Sequence, residues 1–152
     1  MTLQINQAKA AIEQQHDAII DCCSILLSHL RADASIDEIG KARMQLARLL
    51  HENVIAEEAA INGPIRRLSI AERPLHFVEL GAEAADLRRR YTDHVGCWSM
   101  PEIIKDREVY AASVKALVAE VTGHLGRKKA AFSRWWQAVA HIGKGLNRPQ
   151  GS

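Results

Sequence analysis

The tetrad Ser-x-x-Glu occurs three times, each time between stretches of regularly spaced apolar residues: Ser35-Ile-Asp-Glu38, Ser69-Ile-Ala-Glu72 and Ser99-Met-Pro-Glu102. In this arrangement the Ser side chain accepts a hydrogen bond from the backbone N–H of the third helical residue, while the Glu reaches back to the Ser N–H. Three such starts divide the chain into four helices. Within each piece the apolar residues recur at three- and four-residue spacing, and no stretch shows the alternation of a strand. The expected helices run from about Leu3 to Leu30, Ile36 to Ile61, Pro74 to Val95 and Pro101 to Ile142. Pro101 falls in a first turn, where a missing N–H costs nothing; Pro74 is deeper and predicts a short preliminary turn before the third helix. Asn62-Gly63-Pro64 reads as a helix stop.

Four helices with short connections predict an all-α, up-down-up-down four-helix bundle. A length of 152 residues, 47% of them hydrophobic, is enough for one core without a staple. The expected domain is residues 1–142, with 143–152 a flexible tail because Gly143 and Gly145 break helices. The start does not resemble a signal peptide, and the longest apolar runs (Ile25-Leu26-Leu27, Val54-Ile55-Ala56) are far short of a membrane span, so a soluble, cytoplasmic protein is expected. Cys22, Cys23 and Cys97 form no CxxC pair and read as reduced core thiols.

The formal charge of +2 hides an uneven distribution. Glu120 is the last acid; after it come Arg127, Lys128, Lys129, Arg134, Lys144 and Arg148. The twenty bases less those six, set against all eighteen acids, leave the first 120 residues at −4. No strong nucleic-acid signal follows from such a chain.

Four of the seven His fall where the periodicity calls for apolar residues. The seam of the first helix is Ile5, Ile12, Ile19 and Leu26 with Lys9, His16, Cys23 and Leu30 at the intervening heptad positions. His51 adjoins Leu50, Val54 and Ile55; His76 heads the Leu80-Leu87-Tyr91 stripe; His124 continues Tyr110, Val114, Leu117 and Val121. Folding the first two helices back about residue 33 or 34 sets residue 16 opposite residue 51, and a reflection near residue 97 or 98 sets His76 against about residue 119. One His from each helix in one layer is how bundles build metal sites. His94, eighteen residues from His76 and about 27 Å along the same face, is outside that layer.

On these residues the chain resembles the hemerythrin-like (HHE cation-binding) family, over about residues 10 to 136: a His in the first helix, Leu50-His51 in the second, His76 opening the third, Trp98 in the crossover and His124-Leu125 in the fourth. The resemblance implies a non-haem di-iron centre that binds or senses dioxygen, peroxide or nitric oxide, with His16, His51, His76 and His124 as its ligands. The same pattern places a carboxylate where this chain has Ile55, an acid where it has Lys128 and Lys129, and a second third-helix His where it has Leu80. Bridging anions neutralise two mutually repelling iron ions, whereas an ammonium on the seam adds to the repulsion. Of the nearby acids, Glu58 lies about 10 Å along the axis from His51, Glu57 points elsewhere, and Glu72 already has a capping role. The sequence therefore predicts a bundle with a degenerate metal site and no resident cofactor, acting as a sensory or protein-interaction module; the alternative is a working di-iron protein.

Catalysis of another kind is not expected, because no Ser or Cys stands in a nucleophile context with His and a carboxylate. His141-Ile-Gly-Lys144-Gly145 is similar to the His-x-x-Lys-Gly of histidine phosphotransfer domains, but it lies 11 residues from the terminus beside helix-breaking glycines. Arg127 to Val139 interleaves bases with Phe132, Trp135 and Trp136. Adjacent Trp residues are not expected to share one core, so Trp136, with Arg134 and Lys129, is the candidate surface for a protein partner or homodimer. Arg88-Arg89-Arg90 winds round its helix and reads as a solvated face.

Overall fold

A computed structural model describes residues 2–146, and every element in it is helical. Helix α1 (Leu3–Arg31) starts on Thr2, whose side chain accepts from the Ile5 amide. Helix α2 (Ile36–Glu57) opens on Ser35, where both bonds of the capping box form. The tight α1–α2 turn places Asp33 at φ 56°, a left-handed conformation that a short polar side chain tolerates.

The expected stop at Asn62-Gly63-Pro64 is instead a π-helical turn (Glu58–Asn62) that feeds a further turn, α3 (Gly63–Arg66). Proline has no N–H for the carbonyl four residues back and its ring crowds that carbonyl; widening the helix by one residue accommodates both. The Gly63 N–H bonds the Glu58 carbonyl, five residues back, and a Cβ at Gly63 would lie 2.8 Å from that oxygen. Glycine is the residue that fits this approach.

The preliminary turn expected before the third helix is present as a 3-10 turn (Ile70–Glu72), although Ser69 makes no capping bond with its side chain. Helix α4 (Phe77–Cys97) starts behind His76, which has φ 68°. The expected fourth helix is two: α5 (Met100–Lys105), opened by Ser99, and α6 (Arg107–Leu146). At the break between them, the Arg107 guanidinium donates to the carbonyls of His29 and Ala34, satisfying the positively attracting C-terminal end of α1. Helix α6 continues through Gly143 and Gly145 to Leu146, so residues 143–146 are not tail; residues 147–152, and with them the expectation for Gly151-Ser152, lie outside the described residues.

Helix α1 packs on α2 and α6, and α4 packs on α6. Cross-helix bonds fix the directions. Gln15 meets Asn53 and Cys22 meets Ala42, so α1 and α2 are antiparallel; Arg90 meets Glu120 and Glu83 meets Arg127, so α4 and α6 are too. The core has two apolar clusters. One gathers Ile19, Leu26, Ile39 and Tyr110; the other gathers Ile12, Ile61, Phe77, Phe132, Trp135 and Trp136. Near the boundary between them stand the buried polar residues His16 on α1, Asn53 and Glu57 on α2, and His124 on α6. Cys22 and Cys23 are buried free thiols, with Cys23 pushed up to about 11 by burial, but Cys97 is exposed and not the core thiol expected. Among the described residues no helix is long and apolar enough to cross a membrane.

Candidate functional site

The polar layer is organised by Glu57, 2% exposed at the C-terminal end of α2. One carboxylate oxygen accepts from His16 Nε2 at 3.0 Å, and the other accepts from Lys128 Nζ at 2.7 Å. Because a carboxylate only accepts, the His16 nitrogen facing it carries a proton. Burial by itself raises the Glu57 pKa, but the bonds from His16 and Lys128 and the lysine's charge outweigh it and hold the carboxyl down at about 2. Phe132 covers the His16 ring at 5.5 Å between centroids, and Asn53 donates to Gln15 at 3.0 Å beside it.

His124 extends the layer toward α4. Its Nδ1 lies 2.8 Å from Glu83 Oε1, which also receives the Arg127 guanidinium. Desolvation, then the charge of Lys128, lowers the His124 pKa, leaving a neutral ring that donates from Nδ1 and keeps a lone pair on Nε2. That Nε2 is buried and has no hydrogen-bond partner among the described residues.

Of the four imidazoles expected to converge, His16 and His124 are in the layer, whereas His51 and His76 are exposed. The level assigned to His51 is nearly right, since Gln15 bonds Asn53, but its face is wrong: the buried stripe of α2 runs Ile39, Ala42, Leu46, Asn53, Glu57. For His76 the level itself fails. The α4–α6 pairings Arg90–Glu120 and Glu83–Arg127 have their midpoints at residue 105, because α5 and its break occupy the crossover. His76 therefore sits at the start of α4, bonded to Glu79 at 3.0 Å. His94 bonds the Ser113 hydroxyl at 2.9 Å, far along α4.

The remaining expected site residues divide the same way. Lys129 and Arg134 are exposed on α6, but Trp136 is 1% exposed, as is Trp135, and does not offer a partner surface. Two adjacent Trp share one core because their side chains diverge by about 100° and α6 is wrapped by α1, α3 and α4 at this level. Trp135 donates to the Leu75 carbonyl at 3.1 Å, while Trp136 Nε1 has no partner among the described residues.

These donors do not fit a pair of iron ions. The proton on His16 and the ammonium of Lys128 occupy both oxygens of the one buried carboxylate, and a divalent cation added there would stand beside that ammonium. Among the described residues no group of three or more His, Cys, Asp or Glu side chains is placed to hold a metal. Glu57, Glu83 and Asn53 are the site residues that the sequence reasoning missed. Following the Ile39–Leu46 stripe instead of His51 would have led to Asn53 and Glu57.

No family model matches the chain, and no curated protein or solved structure matches it significantly.

Proposed function

We propose that this chain is a hemerythrin-like, up-down-up-down helical bundle in which an internal ion pair stands where relatives of that kind carry metal, and that it works as a sensory or protein-interaction module rather than as a catalyst. The observation that carries this reading is the buried Glu57 carboxylate shared between His16, 41 residues before it, and the Lys128 ammonium, 71 residues after it. A lysine supplies the positive charge that a buried carboxylate needs, and it leaves no donor free for a bridging role. The buried thiols Cys22 and Cys23 have raised pKa values, which holds them in the unreactive protonated form, and the Ser113 hydroxyl beside His94 donates its proton to the Tyr110 carbonyl rather than to the ring.

The test is metal content. Protein expressed with added iron, then measured for stoichiometric iron and visible absorption, should be colourless and without bound iron. About two irons per chain with oxo-bridge absorption would overturn the reading in favour of a di-iron protein.

A further inference from the structure

Helices α2 and α4 do not close on each other. Between them runs a cleft floored by α6, made of three adjoining hollows of about 550, 280 and 310 Å³. The first two share Leu50, Tyr91 and Val121; the second and third share Asn53, Arg88 and Lys128. Along α2 and the π turn the lining extends from Ile36 to Asn62, a rise of about 39 Å. These dimensions suit a narrow chain rather than a helix of about 10 Å diameter.

The two ends differ chemically. The large hollow is walled by Leu26, Leu50, Met100, Val114, Leu117 and Val118. On its rim Arg43 is committed to the Trp98 carbonyl and the Tyr110 ring, and the formal charges of Asp37 and Lys41 sum to zero. At the opposite end Lys128 is neutralised by Glu57 and Arg66 by Glu58. Arg73 there bonds only backbone carbonyls, and Arg88 has no ion-pair partner among the described residues. That end therefore carries two uncompensated positive charges.

We propose that the cleft binds a single-chain amphiphile with an anionic head, of the fatty-acid class, its tail in the Leu117 hollow and its carboxylate at Arg88, which lines the two hollows that follow. This goes beyond the metal-free reading, with which it shares the Lys128–Glu57 pair in the cleft wall. A carboxylate matches the Arg88 guanidinium, and the apolar walls reward each buried methylene by roughly fourfold in affinity.

The full-length protein is titrated with decanoate, dodecanoate and dodecanol, below their aggregation concentrations, against a fluorescent apolar probe. Dodecanoate should bind at one site per chain, several-fold or more tighter than decanoate and at least tenfold tighter than dodecanol. Arg88→Glu, an exposed position, should weaken dodecanoate at least tenfold and leave dodecanol unchanged. Leu117→Trp should block both while the helical circular dichroism is retained. Absence of dodecanoate binding overturns the proposal, and so does equal affinity for acid and alcohol or an Arg88→Glu effect of the same size on both. Iron analysis of the same preparation reports separately on the metal-free reading.

Discussion

Glu57→Gln should destabilise the protein by about 3 kcal/mol, and Lys128→Met should rescue most of that loss. The wild-type carboxyl is held at about 2 against an ordinary value of 4.5, a difference equivalent to about 3 kcal/mol of folding stability. Since the folded pKa is depressed, this contribution is complete above pH 4.5 and is lost as the pH falls toward 2. The amide removes it at all pH values and also leaves the Lys128 ammonium, whose side chain is 12% exposed, without its partner. Breaking one side of a buried pair costs about 3–5 kcal/mol, whereas replacing both sides by uncharged groups of similar size is often close to neutral. In urea at pH 7, with a slope of about 2 kcal/mol per molar, the single variant should unfold at a midpoint about 1.5 M lower. The double variant Glu57→Gln/Lys128→Met should lie closer to wild type than either single variant, with a coupling of about 2 kcal/mol. The acid limb of its stability between pH 4.5 and 2 should also flatten. A Glu57→Gln loss below about 1 kcal/mol, or additive single costs, would refute the claim that these charges are folded against each other.

Gly63→Ala should cost about 1–3 kcal/mol in chemical denaturation, because its Cβ meets the Glu58 carbonyl of the π turn at 2.8 Å and backbone has to move. Trp135→Phe should cost about 1 kcal/mol more than Trp136→Phe, since the first orphans the Leu75 carbonyl and the second removes an N–H that has no partner; equal thermal shifts would contradict this. His76→Gly should raise stability by about 0.5–1 kcal/mol, the relief of a left-handed non-glycine residue less the entropy of glycine, measured as an increase in Tm.

The sequence was most legible where a local rule had a single physical outcome. The α1 seam predicted the burial of Ile12, His16, Ile19, Cys23 and Leu26, and Ser35 and Ser99 cap the helices they were expected to start. It was least legible where the outcome depended on three-dimensional register. Gly63-Pro64 carries a stop signal, but a π turn satisfies the same two steric demands without ending the helix. Asp106 carries no breaker signal; the chain bends there with Arg107 engaged by carbonyls of the α1–α2 turn, more than 70 residues away. That bend moves the α4–α6 register by about four turns and takes His76 out of the layer. The apolar neighbours of His51 gave it a false face, since Val54 and Ile55 are themselves exposed.

The same misplaced face concealed the carboxylate, and the consequence reaches the meaning of Lys128. Set against an acid expected from the family pattern, a lysine at that position looks like the loss of a site. Set against Glu57 it is a partner: a buried carboxylate and a nearly buried ammonium, opposite in sign and 2.7 Å apart. A buried ion pair contributes little net stability compared with apolar side chains of the same volume, but it is intolerant of misalignment. Sliding α6 by one heptad would still bring apolar residues together, since Val121 lies seven before Lys128 and Trp135 seven after it. It would also carry the ammonium about 10 Å from Glu57 and leave both charges buried alone. Two apolar clusters on either side of such a pair give a core with one favourable alignment, and a lysine fixed in the chain provides that alignment.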